Sequence, residues 1–167
     1  MKSIRLSAYT WLTRIALSLC VVPALAPAAL AQNESRVGTW ELNLEKSAFS
    51  PGPAPRRQTL TFREDGRQWT ALVQGLDASG QPIALDADNL MINFDGRDHP
   101  TPAPDYETTA WTRVDDHKYL VTRKKMGKVV LTSTNILSAD GKTMTITTIG
   151  QNAAGQPVHN VRVYDRR

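Results

Sequence analysis

The chain's three histidines, His99, His117 and His159, are its best-equipped residues for acid–base or metal chemistry. None has a ligand-type partner two or four positions away on its own predicted strand. Asp98-His99 and Asp116-His117 set an acid beside an imidazole, but adjacent residues of a strand point to opposite faces. Asp86, Asp88, Asp98 and Glu107 could supply an acid–base pair, although acids so placed also suit a solvated outer face. Ser133 lies in no strand–turn–helix context that would expose a nucleophile, and no glycine-rich phosphate loop occurs. The residue types therefore give no metal site, no cofactor and no recognisable reaction.

The first 31 residues read as an export leader. Met1 to Arg14 is polar and basic, Ile15 to Ala31 is apolar, and Ala29-Leu30-Ala31 is the small-x-small pattern of a cleavage site. We expect cleavage after Ala31 and a periplasmic or secreted product, with no stable membrane insertion. The chain of 167 residues carries 20 basic and 16 acidic residues, net +4. Three of those basic residues fall in the leader, which leaves +1 for the rest. Basic charge is thus no argument for a nucleic-acid partner. Arg123, Lys124, Lys125 and Lys128 cluster, as solvated charge does at a hairpin tip. The only cysteine, Cys20, lies in the leader, so the remainder must be stable without a disulfide.

Any chemistry must be positioned by β-strands. After a polar lead-in over 32–36, the pattern predicts a single β-barrel domain over 37–167 with ten strands. They run at 37–44, 57–64, 67–75, 82–94, 97–99, 106–114, 117–125, 128–138, 142–149 and 157–165. Leu60 and Phe62 share a face, as do Trp69, Ala71 and Val73, Met144 and Ile146, and Val161 and Val163. In the fourth strand the apolar phase shifts from Ile83, Leu85 and Ala87 to Leu90, Ile92 and Phe94. This predicts a bulge near Asp88-Asn89.

The turns sort by parity. Asp65-Gly66, Asp95-Gly96, Asp115-Asp116 and Asp140-Gly141 are tight-turn signals, and the longer connections 45–56, 76–81, 100–105 and 150–156 alternate with them. In an up-and-down meander that puts long loops at one end and tight turns at the other, with Met126-Gly127 the one tight turn among the loops. An even strand count lets the first and last strands pair and close the barrel. Residues 65–83 and 140–158 also echo each other at an offset of 75, with matches that include Asp65/Asp140, Gly75/Gly150 and Gly80/Gly155.

Gly38-Thr39-Trp40-Glu41-Leu42-Asn43-Leu44-Glu45-Lys46-Ser47 resembles the opening of a group of small exported bacterial proteins described as lipocalin-like. Asp140-Gly141-Lys142-Thr143-Met144-Thr145 and Val163-Tyr164-Asp165 are similar to that group's closing hairpin. The Gly-x-Trp at Gly38 to Trp40 is similar to the first lipocalin signature. That resemblance implies a calycin-like up-and-down antiparallel barrel in which Trp40 plugs the closed end beneath a basic residue of the last strand, Arg162 or Arg166. The Thr-Asp-Tyr motif of lipocalins is absent; Asp116-His117-Lys118-Tyr119 stands nearest to it.

For the interior, the phases select Phe62, Trp69 and Met144 as apolar lining, and Arg56, Arg57 and His99 as rim residues able to meet an anionic head group. Thr132, Thr134, Thr145, Thr147, Asn135 and Asn160 interrupt apolar positions on late strands. If they face inward, the lining is mixed and suits a cavity with polar anchors. Three function classes follow. The first is a binder of a small apolar or amphipathic molecule, the second a partner-binding or envelope protein without a ligand, and the third, least favoured, an enzyme using the mouth. A cavity, an exposed apolar patch, or converging titratable groups would respectively distinguish them.

Overall fold

The computed structural model describes residues 36–66, 68–85, 91–101, 103 and 105–167. The leader, most of the lead-in, Asp86, Asp88 and the expected bulge at Asp88-Asn89 lie outside that set. Among the described residues there are eleven strands: β1 (Gly38–Ala48), β2 (Arg57–Asp65), β3 (Gln68–Leu76), β4 (Pro82–Leu85), β5 (Met91–Ile92), β6 (His99–Pro100), β7 (Thr108–Arg113), β8 (Lys118–Lys125), β9 (Lys128–Leu137), β10 (Thr143–Gln151) and β11 (Pro157–Arg166). No helix among these residues is long and apolar enough to cross a membrane.

The strands form one antiparallel up-and-down sheet in the order β4-β3-β2-β1-β11-β10-β9-β8-β7-β6, with β5 also on β3. The first and last long strands pair, Trp40 opposite Arg166 and Leu42 opposite Tyr164. The expected closure is not complete. β4 and β6 end the ladder, and β6 is two residues long with Pro100, which has no N–H to donate. The segment 91–95 bridges this break at the tight-turn end by backbone pairing and by one aromatic ring. Met91 and Ile92 pair with β3, Asp95 bridges Thr112 of β7, and Phe94 stands between. Its ring lies 5.5 Å from Trp69, 4.8 Å from Tyr119 and 6.3 Å from Trp111.

The phase shift of the expected fourth strand is visible in the ladder. Leu85 is opposite Val73 and Met91 is opposite Thr70, so the register of the second pairing differs from that of the first by an excess of three residues. The excess of three is odd, and an odd slip exchanges the faces of a strand. Ile92 therefore shares the inward face with its partner Trp69 and is 2 % exposed.

The internal echo has a structural basis. Leu76 pairs with Pro82 and Gln151 with Pro157, the same register displaced by 75. The two connections close identically. Asp77 N–H donates to Gln81 C=O and Gly80 N–H to Asp77 C=O, while Asn152 N–H donates to Gln156 C=O and Gly155 N–H to Asn152 C=O. In each, the side-chain oxygen of Asp77 or Asn152 accepts the N–H of residue 81 or 156. Gly75 and Gly150 also share a role. A Cβ on Gly75 would come within 2.2 Å of Arg57 C=O, and one on Gly150 within 2.0 Å of Val130 C=O. Gly150 additionally has φ +144°, which side chains disfavour. Gly150→Ala is expected to destabilise the fold by about 1–3 kcal/mol, the range for overpacking. An unchanged urea midpoint would show that β9 and β10 can separate there at no cost.

Inward residues run along each strand from buried to accessible. On β1, Trp40 is 0 % exposed, Leu42 6 % and Leu44 41 %. On β2 the order is Phe62 and Leu60 buried, then Gln58 half-buried; on β11 it is Tyr164 buried, then Arg162, Asn160 and Val158 half-buried. The tight-turn half is thus filled by a core that includes Trp40, Phe62, Trp69, Ile92, Leu137, Met144 and Tyr164. The loop half admits solvent to its inward face.

Candidate functional site

The filled end is built around Trp40 and Arg36. Trp40 Nε1 donates to Arg36 C=O at 2.9 Å, and the Arg166 guanidinium lies 4.3 Å from the Trp40 ring centroid. Arg166 is held by Val37 C=O at 3.0 Å and Gly141 C=O at 2.8 Å. Of the two arginines considered as cover for Trp40, the geometry sets Arg166 there; Arg162 pairs with Ile146 further along the strand. Arg36 belongs to no polar lead-in. It is 3 % exposed, lies 4.4 Å over the Tyr119 ring, and donates to His117 C=O, Asn135 C=O and Met144 Sδ. Loss of hydration draws its pKa down to about 10, with the nearby Tyr119 and Asp115 opposing that shift.

The interior becomes polar towards the loop end, and the ladder shows why. On β9, β10 and β11, the residues level with one another and facing inward are Leu137, Met144 and Tyr164, then Asn135, Ile146 and Arg162, then Ser133, Thr148 and Asn160. Ser133 Oγ and Thr148 Oγ1 lie 2.8 Å apart, and Arg123 Nη1 donates to Ser133 Oγ at 2.7 Å. Tyr164 OH donates to Gln58 Oε1 at 2.8 Å across the interior. Thr109, opposite Arg123 on β7, is 5 % exposed and its hydroxyl has no partner among the described residues.

Arg123 is the principal cation of this region. Burial lowers its pKa, and Arg162 adds repulsion, while the hydroxyl of Tyr106 opposes both. The Tyr106 ring lies 5.2 Å from the Arg123 guanidinium. No carboxylate acts on Arg123 among the described residues. Tyr164 likewise has its pKa raised by burial, opposed by Arg162. The Arg123 and Arg162 side chains thus both face the half-buried loop half of the interior, where Ser133 Oγ accepts from Arg123. Such a cluster is built to take an anion.

The residues selected from sequence are distributed as follows. Phe62, Trp69 and Met144 point inward, within the filled half at 4 %, 3 % and 0 % exposure. Arg56 is exposed and donates from Nε to Ala78 C=O at 3.1 Å, bracing the β3–β4 connection. Arg57 faces outward and helps to line an external groove of about 590 Å³ with Glu41, Thr59 and Gln74. It therefore does not face the interior. His99 contacts Asp95 at 3.0 Å and Asn93 at 3.4 Å beside the ladder break. Asn135 and Asn160 face inward, but Thr132, Thr134, Thr145 and Thr147 do not, because Ser133, Asn135, Met144, Ile146 and Thr148 occupy the buried phase of those strands. Among the described residues no three His, Cys, Asp or Glu side chains converge as metal ligands would.

Arg123 is the residue that composition hid. It stands beside Lys124 and Lys125 and so reads as part of a solvated tip. Its strand phase was the available signal: Tyr119, Val121 and Arg123 alternate on one face, and the first two are buried.

No family profile matches this chain, and no curated protein does. Among solved structures, the zebrafish ileal bile acid-binding protein, crystallised with cholic acid, is similar in fold. The TM-score is 0.50 and the identity 12 %, over 80 % of this chain and 99 % of that one. At that identity the likeness concerns the fold.

Proposed function

We propose that this protein binds a small amphipathic molecule in the loop half of its barrel, apolar body against the core and anionic head group at Arg123 and Arg162. The observation that carries this reading is the inward-facing, partly desolvated Arg123 guanidinium, which donates to the Ser133 hydroxyl at 2.7 Å, lies 5.2 Å from the Tyr106 ring and has no carboxylate beside it among the described residues. A buried cation without a counter-charge is costly, and a ligand carboxylate would supply that charge. The accessible inward positions Leu44, Gln58, Val73 and Val158 provide an entry from the loop end. Leu60, Ala71 and Ile146 provide an apolar floor. The bile acid-binding neighbour holds cholic acid, an amphipath of the same general kind, on a similar fold. The leader-like residues 1–31 support a carrier that works in the periplasm or after secretion.

A matched pair of ligands tests this. An environment-sensitive fatty-acid analogue would be bound to delipidated protein and displaced by dodecanoate or dodecanol. The charge-assisted bonds at Arg123 should favour dodecanoate by about tenfold to a hundredfold. Equal displacement by both would remove the anionic anchor from the account, and no displacement by either would remove the ligand.

A further inference from the structure

One rung of the sheet in the loop half has more donors than acceptors. Antiparallel pairing sets Ser133 of β9, Thr148 of β10 and Asn160 of β11 level with one another on the inward face. Arg123 of β8 reaches the same rung by donating from Nη1 to Ser133 Oγ at 2.7 Å. The acceptors of the rung are engaged. Ser133 Oγ takes the Arg123 N–H, Ser133 and Thr148 share one hydroxyl proton across 2.8 Å, and Asn160 Oδ1 accepts Ser50 N–H at 2.9 Å. That last bond fixes the amide's orientation, because a backbone N–H can be met only by the carbonyl oxygen of the side chain. The Asn160 NH2 group therefore points away from Ser50, and it has no acceptor among the described residues.

We propose that this rung selects the shape of the head group: it takes a tetrahedral oxyanion of the phosphate monoester class in preference to a planar carboxylate, with Asn160 as the third donor beside Arg123 and Arg162. This rests on the binding site proposed above. A guanidinium has five N–H groups, of which Arg123 uses one on Ser133. Asn160 adds two, and the hydroxyl pair retains one proton to donate. Arg162 is the next inward residue of β11 below Asn160, and it is half-buried. No Asp or Glu faces inward on β8, β9, β10 or β11, so no carboxylate of this wall competes for these donors.

The donors come from separate strands, which favours three oxygens over two. Neighbouring strands are about 4.8 Å apart, so Asn160 on β11 and Ser133 on β9 stand about two spacings from each other along the rung. Arg123 approaches from the β8 side and Asn160 from the β11 side, with Arg162 beneath. A phosphate monoester sends three terminal oxygens in three directions, one for each donor. A carboxylate has two oxygens in one plane and leaves one donor without an acceptor. The amide is also in place before a ligand arrives. Its partner Ser50 lies in the 45–56 connection at the mouth, and Ser50 C=O accepts His159 N–H at 2.6 Å, which fastens that connection to β11.

The test displaces the bound fatty-acid analogue with dodecyl phosphate, dodecanoate or inorganic phosphate. Dodecyl phosphate should act at about tenfold lower concentration than dodecanoate, or lower still, the weight of one added charge-assisted hydrogen bond. Asn160→Leu keeps a side chain of similar size without the NH2 and should cut that preference by about tenfold, with dodecanoate binding little changed. The larger charge of the phosphate is common to both proteins and cancels from the comparison. Asn160→Asp still accepts from Ser50 N–H, so the connection stays fastened, and it should lose dodecyl phosphate more than dodecanoate. Equal displacement by the two amphipaths in the unaltered protein would overturn the proposal, as would a preference that survives in both variants. A preference lost in Asn160→Leu but kept in Asn160→Asp would overturn it too, since Asn160 would then act only through the connection. Displacement by neither amphipath would instead overturn the parent site. Inorganic phosphate at the same concentration should displace nothing; displacement by it would keep the oxyanion rung and remove the amphipath of the parent reading.

Discussion

Arg123→Met is expected to weaken dodecanoate binding by about tenfold to a hundredfold, leave dodecanol binding unchanged, and cost no stability. The first part follows from removing the charge-assisted bonds. The second follows because methionine keeps an unbranched apolar stem of similar reach, so the wall is not emptied. The third is the distinctive part. Arg123 is partly desolvated, repelled by Arg162 and held by the neutral Ser133 hydroxyl, so its burial is unfavourable without a bound anion. Ser133 and Thr148 retain each other as partners when it is gone. The thermal midpoint should therefore stay constant or rise. A marked fall would mean that Arg123 is a structural clamp, and equal loss of both ligands would mean that the interior had rearranged.

Trp40→Ala should have the largest effect on stability, about 3–5 kcal/mol, the cost of truncating a buried aromatic. Trp40 is 0 % exposed, and its indole ties three parts of the chain together. Nε1 holds the backbone of Arg36, the ring lies beneath Arg166, and the strand pairs with both β2 and β11. The loss is larger than that of a cavity alone, because Arg36 C=O loses its donor and Arg166 its ring. Chemical denaturation measures the difference, and a change below about 1 kcal/mol, the range of surface substitutions, would contradict the plug. Protein that remains folded should keep its preference for anions, since Trp40 stands at the opposite end from Arg123.

Strand phase and turn chemistry were legible in the sequence, while the placement of charge was not. The pairing of first and last strands, the segregation of tight turns from loops, and the odd slip between Leu85 and Met91 all follow from alternation and Asp-Gly signals. These are local, and each is repeated along the chain. The incomplete closure was not legible, because Phe94 spans the break by aromatic contacts that no period records. Arg36 and Arg123 were missed for a common reason. Composition assigns arginine to the surface, and only contacts distant in sequence, such as Arg36 with Met144 or Arg123 with Tyr106, compensate its burial. The facing of the threonines of β9 and β10, left open by the sequence, is outward for the converse reason. Ser133, Thr148 and Asn135 carry the buried phase, so polarity was no guide to facing.

The ionisation of a bound head group tests the central claim most directly. Dodecanoate labelled with carbon-13 at the carboxyl would be bound to the protein and followed by NMR from neutral to acid pH. A carboxylate beside a guanidinium has its pKa lowered by about one to three units. The bound resonance should therefore hold its position through about pH 4 to 5, where free carboxyl groups titrate, and Arg123→Met should restore ordinary titration. A bound carboxyl that titrates as the free acid does would put the head group in solvent and contradict an anchor inside the barrel.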